Sequence, residues 1–77
     1  MIIQALKRLR ETFPKTNFII EIEYYNEIIH YILSIHLGYT DMGENRIHVV
    51  SLTNEIEFID YMIDLISGKK TCEYIIL

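Results

Sequence analysis

Cysteine is nearly missing from this 77-residue chain: Cys72 stands alone, which excludes an internal disulfide and a thiolate zinc cluster and fits a reducing cytosol. Proline is as scarce, and its single copy, Pro14, falls where one periodic pattern gives way to another, so it reads as the stop of a helix. The glycines Gly38, Gly43 and Gly68 are too dispersed for a phosphate-cradling loop, and Ser34, Ser51 and Ser67 lie outside any nucleophile-elbow sequence. Positive charge is missing from the middle of the chain. Between residues 16 and 68 the only Lys or Arg is Arg46, against nine acids: Glu21, Glu23, Glu27, Asp41, Glu44, Glu55, Glu57, Asp60 and Asp64. Each duplex phosphate that a protein neutralises requires a cation, so this region would repel DNA or RNA over a Debye length of about 8 Å, and direct nucleic-acid binding is not expected. Long apolar runs are missing too; none approaches the roughly 20 residues of a membrane span. The opening "MIIQALKRLRETF" sets its charges after and among its apolar residues, the reverse of a secretory signal. A soluble, cytoplasmic protein without a membrane partner is the expectation.

What is present is apolar and acidic. Hydrophobic residues make up 51% of the chain and charged ones 23%, with a net charge of −4, which fits one compact domain over residues 1–77 and leaves no room for a second core. A chain of this length buries only about 60–65% of its unfolded surface, so modest stability is expected unless a partner adds burial. The bias toward Ile, Tyr, Asn and Glu favours AT-rich codons and points to a low-GC genome: that of a Gram-positive bacterium, its phage, or an archaeal virus.

Periodicity assigns the elements. Ile2, Ile3, Leu6, Leu9 and Phe13 follow the three-or-four spacing of a helix with one buried stripe, Lys7, Arg8 and Arg10 lying on its exposed side. In "NFIIEIEYYNEIIHYILSIHLGY" the period drops to two: Phe18, Ile20, Ile22 and Tyr24, then Ile29, Tyr31, Leu33, Ile35 and Leu37. A tight turn at Asn26 and Glu27 would set Tyr24 against Ile29, Ile22 against Tyr31 and Ile20 against Leu33, every apolar partner on one side, although Asn-Glu lacks the glycine that a type I′ turn prefers. "TDMGEN" is a polar connection, and "RIHVVS" a third strand. In "NEIEFIDYMIDLISGKK" a second helix starts at Asn54, with Thr53 a competing cap and Glu57 at capping-box spacing. Its expected buried stripe is Ile56, Ile59, Met62, Ile63 and Ile66; Gly68 can close it in the left-handed conformation, ahead of Lys69 and Lys70 at the negative end of the dipole. "TCEYIIL" has the β-branched and aromatic bias of a last strand, parallel to the first and third and beside one of them. The predicted fold is α+β, in the order α-β-β-β-α-β, a mainly antiparallel sheet with two helices packed on one face.

Tests for chemistry come out negative. His30, His36 and His48 fall on the sheet face opposite the expected core, with Glu21 and Glu23. His30 and His36 are six residues apart in one strand, roughly 20 Å, so the three imidazoles cannot share a metal within a monomer. His36 and His48 become cross-strand neighbours only if strands two and three pair around a five-residue loop. Solvated imidazoles on an open face are the simpler reading, and a Glu23–His30 pair there contributes about 0–1 kcal/mol once the histidine is charged. An open face also lacks the pocket that proton transfer needs. Cys72 alternates with Glu73 with no helix start or cation nearby to activate it, and reads as a packing residue. We expect no enzyme: no catalytic residue, no metal and no cofactor. The order helix, three strands, helix is that of double-stranded-RNA-binding domains, but those rely on a basic second helix where this chain has Glu55, Glu57, Asp60 and Asp64.

That acidic row needs its own explanation. Glu57, Asp60 and Asp64 are three and four apart and line one side of the helix, where like charges cost about 0.2–0.5 kcal/mol per pair. The N-terminal dipole accounts for Glu55 and Glu57 but disfavours Asp64. A solvated face that keeps the protein soluble is one reading; the other is a docking surface for a basic protein groove, with Glu57, Asp60, Asp64, Glu55 and the adjoining Tyr61 as partner-binding residues.

The segments "ALKRLRETF", "NFIIEIEYYNEIIHYILSIHLGY" and "NRIHVVSLTNEIEFIDYMIDLISGKK" resemble, in order and charge pattern, the small acidic anti-CRISPR proteins of phages infecting Gram-positive bacteria. The resemblance spans residues 5 to 70 and rests on layout and charge, without a diagnostic motif. It implies a non-enzymatic inhibitor that occupies the PAM-binding channel of Cas9 as a DNA mimic, and hence a basic host protein as partner. The basic first helix, the weaker overall acidity and the terminal "CEYIIL" depart from the family's pattern, so no binding residue is carried over from it. A rival reading is a self-associating structural module, an immunity protein or an antitoxin. Tyr25, Ile28, Ile19 and Ile32 lie on the sheet face away from the helices, and "EYIIL" at a sheet edge would invite a homodimer.

Overall fold

The computed structural model describes residues 1–40 and 43–71. They form α1 (Ile2–Thr12), β1 (Asn17–Tyr25), β2 (Ile28–Thr40), β3 (Gly43–Leu52) and α2 (Glu55–Ser67). The fold is α+β, an antiparallel meander in the order β1-β2-β3 with both helices contributing to one core. The predicted terminal strand, "CEYIIL", lies outside the described residues.

The hairpin forms in the register that the apolar alternation requires, with Tyr24 opposite Ile29, Ile22 opposite Tyr31 and Ile20 opposite Leu33. Its turn is the two-residue type I′ form: Asn26 and Glu27 both have positive φ, 52° and 62°. Asparagine tolerates this conformation and glutamate does not, so the turn holds despite a residue that costs roughly 1–2 kcal/mol in the left-handed region. Strands two and three run longer than their apolar patterns suggest. β2 and β3 pair through Thr40 and Gly43, so most of the expected polar connection is strand. The register slips twice, once beside Val49 and once beside Leu37, and such bulges add local twist. As a result His36 lies opposite Arg46 and His48 opposite Ser34, so the two histidines do not face each other.

The core joins Ala5 and Leu9 of α1, Phe18 of β1, Leu33 and Ile35 of β2, and Phe58, Ile59, Met62 and Leu65 of α2. Phe13 turns back onto Phe18, ring centroids 6.1 Å apart, and Tyr31 meets Phe58 at 5.8 Å. Both helices differ in phase from the expected stripes. α2 buries Phe58 and Leu65 in place of Ile56, which is 70% exposed, and Ile63, which is also exposed. Positions 58, 59, 62, 65 and 66 satisfy the helical period equally well, and this rotation buries Phe58, the largest fully buried side chain, against Tyr31. In α1, Ala5 is buried and Ile3 exposed, because a small residue there lets the two helices approach.

The largest departure concerns the hairpin. Ile22, Tyr24 and Ile29, all expected in the core, are 62%, 70% and 44% exposed. Their side chains point to the helix side, but neither α1 nor α2 packs over them. An 11-residue helix is about 16 Å long at 1.5 Å per residue; a 9-residue strand spans about 30 Å. β3 also ends at Leu52, opposite Tyr31, so β1 and β2 continue past it as a two-stranded ribbon from Glu23 to His30.

Replacing Glu27 by glycine removes the left-handed penalty at the cost of a more flexible unfolded chain, which leaves a net gain of about 0.5–1 kcal/mol. Glu27→Gly is expected to raise the melting temperature by about 2–8 °C, measured by circular dichroism; an unchanged or lower value would contradict the turn geometry.

Candidate functional site: an acid-rimmed groove beside the second helix

α2 owes its position to well-defined ends. Asn54 has extended backbone, and its side-chain Oδ1 accepts the Glu57 N–H at 3.1 Å, which settles the cap in favour of Asn54 over Thr53. Among the described residues the reciprocal half of a capping box is not made: the Glu57 carboxylate does not return to the Asn54 N–H, so it stays on the outer surface. At the other end Gly68 takes φ 80°, donating to the Leu65 carbonyl at 3.3 Å while the Lys69 N–H donates to the Asp64 carbonyl at 2.9 Å. This is a Schellman closure.

The closure has an electrostatic effect. The Lys70 N–H also donates to the Asp64 carbonyl, at 3.2 Å, so the chain doubles back over the last helical turn. Lys70 Nζ then lies 3.8 Å from Asp64 Oδ2 and 4.9 Å from the centre of the Tyr61 ring. Both partners of the ion pair are substantially exposed, so it contributes at most about 1 kcal/mol. It nevertheless neutralises one member of the acidic row. Asp64, which the helix dipole disfavours, is the member that has acquired a cation.

The remaining acids stand open. Glu55, Glu57 and Asp60 are exposed, and among the described residues Glu57 and Asp60 have no ion-pair partner. Four of the five residues nominated from the sequence, Glu57, Asp60, Tyr61 and Asp64, come together around one groove of about 470 Å³ between α2 and β3. Val50 and Leu52 supply its apolar floor, and Lys70 stands with Asp64 in its wall. Glu55 is not part of this lining. The groove was missed by sequence reasoning because it needs β3 beside α2. The Lys70 contact had a signal: a glycine closing a helix folds the following residues back toward the last turn.

The open face of the sheet has a different electrostatic character. Arg46, the lone cation of the middle region, forms an ion pair with Glu21 there, and Glu23 lies opposite His30 in the register. His30 stacks on Tyr25, ring centroids 4.1 Å apart and nearly parallel. Among the described residues, no three His, Cys, Asp or Glu side chains gather in a metal-holding group, and no helix is long and apolar enough to cross a membrane.

Because the Asn54 cap orders the turn that carries Glu55 and Glu57, Asn54→Ala is expected to cost about 1 kcal/mol and lower the melting temperature by about 4–8 °C. Glycine at the same position should cost only a few tenths of that energy. Equal losses in both variants, measured by urea unfolding, would show that the cap is not what holds this end.

Compared with protein-family models, with curated proteins and with solved structures, the chain matches none.

Proposed function

We propose that this chain is a non-enzymatic, acidic protein-binding domain, encoded by a phage or mobile element, that inhibits a nucleic-acid-binding protein in the host cytoplasm by presenting the acidic face of α2 in place of a phosphate backbone. Cas9 is the form of target that the likeness to small anti-CRISPR proteins implies. The observation that carries this reading is the pair Glu57 and Asp60, both exposed, without a cation among the described residues, and flanking a groove with an apolar floor. Carboxylates one helical turn apart sit about 5–6 Å from each other at Cβ, a repeat of the same order as the phosphates along a nucleic-acid strand. A protein channel evolved for DNA already holds Lys and Arg at such intervals, and complementary potentials steer the encounter and fix its register. The apolar floor adds area that desolvates on contact, which a phosphate backbone does not offer.

A second reading, a self-associating module, is favoured by a separate observation: the uncovered apolar ribbon at the hairpin end.

The inhibitor reading is tested with purified Cas9 loaded with guide RNA, by measuring binding of the wild type and of Glu57→Lys/Asp60→Lys. The double variant is expected to bind at least tenfold more weakly, about 1.4 kcal/mol, and wild-type binding to weaken as salt rises and screening shortens. Asp64→Lys alone should matter less, since Lys70 already offsets that carboxylate. Undiminished binding by the double variant removes the acidic face from the interface, and absence of wild-type binding removes this target.

A further inference from the structure

The uncovered hairpin has a complement elsewhere on the same molecule. Its end presents Tyr24 and Ile29 on one face and Tyr25 and Ile28 on the other, all exposed, with Glu23 and Glu27 exposed among them. Each face of the tip thus exposes a pair of large apolar side chains, a feature that marks an interaction surface when it is contiguous. A two-stranded ribbon without further support is marginal in water. An occupant of this end must therefore be apolar at its centre and cationic at its rim; the acids exclude nucleic acid on charge.

Such a site lies between α1 and α2. Met1, Ala5, Ile59 and Ile63 line a hollow of about 170 Å³, with Gln4 and Arg8 in its wall, room for one large apolar side chain. Arg8 is the cation of this lining, and it is exposed; Lys7 and Arg10 line a separate groove on another side of the same helix.

The geometry points to head-to-tail association between copies of this chain: the hairpin end of one copy inserts Tyr24 or Ile29 into the α1/α2 hollow of the next, with Glu27 of the turn facing Arg8 in its wall. Because the two surfaces differ, the contact is heterologous and propagates into a ring or filament. The area on each side is below that of a standard interface, so each contact is weak and transient. This surface is distinct from the acidic groove, and the association stands or falls independently of the inhibitor reading.

The test uses two variants of the full chain, each blocked on one surface. Tyr24→Ser/Ile29→Ser removes the hairpin contact; Arg8→Glu/Ile63→Ser removes the hollow. All four positions are exposed, and thermal melts confirm that both variants fold. By sedimentation at concentrations from about 10 μM to about 1 mM, spanning the weak end of the affinity scale, the wild-type mass is expected to climb above 9.2 kDa. Each variant alone should remain monomeric. An equimolar mixture should reach twice the monomer mass and stop, since the second variant's hairpin docks on the first variant's hollow and neither end can grow. A wild type that stays monomeric throughout, a hairpin variant that still associates, or a mixture in which no dimer forms would overturn the proposal; the last two would indicate a symmetric or unrelated contact.

Discussion

The molecule is organised by a mismatch of lengths. Strands rise more than twice as far per residue as helices, and here an 11-residue and a 13-residue helix lie on strands of 9, 13 and 10 residues. The helices cover the rows of Phe18, Ile35, Leu33 and Tyr31 and stop. Within that footprint the packing is complete: Leu9, Leu33, Ile35, Phe58 and Met62 are fully buried, and aromatic contacts close both ends, Phe13 on Phe18 and Phe58 on Tyr31. Beyond it the same alternating sequence continues without cover. Core and exposed ribbon are thus two consequences of one length difference.

Much of the fold could be read from the sequence, for reasons local to each element. Pro14, the Asn54 cap and Gly68 mark ends by backbone chemistry that operates whatever the surroundings. The hairpin register follows from period-two alternation, because a slip of one residue would turn every apolar side chain to the wrong face. What could not be read was burial. Alternation assigns Tyr24 to the same face as Phe18, which is correct, but it does not say whether that face is covered at that row. Helix phase was ambiguous for a related reason. In α2, Ile56, Phe58, Ile59, Met62, Ile63, Leu65 and Ile66 occupy most of the circumference, so several stripes fit, and the choice fell to the packing of Phe58 against Tyr31.

The candidate site was partly legible on the same terms. Spacings of three and four placed Glu57, Asp60 and Asp64 on one side of a helix, and the structure keeps them there along one groove. Their electrostatic equivalence did not survive, because the closure at Gly68 returns Lys70 to Asp64. A row that looks uniform in sequence becomes a graded one, open toward the start of α2, where the dipole also favours acids, and compensated toward its end.

The distribution of charge connects the two surfaces. α1 carries exposed cations, while the hairpin end and the opening turns of α2 carry exposed acids, so a modest net charge conceals strong local polarity. On a domain with so small a core, such segregation does little for the folded monomer, since exposed like charges only repel along their own helix. Its physical effect lies between molecules, where a positive face meets a negative one across a desolvating apolar patch. Both surfaces combine those two ingredients, the groove with Val50 and Leu52 beneath its acids and the ribbon with exposed Tyr24 and Ile29 next to the turn residue Glu27. Among the described residues, burial that the two helices do not supply is thereby left available for a partner to supply.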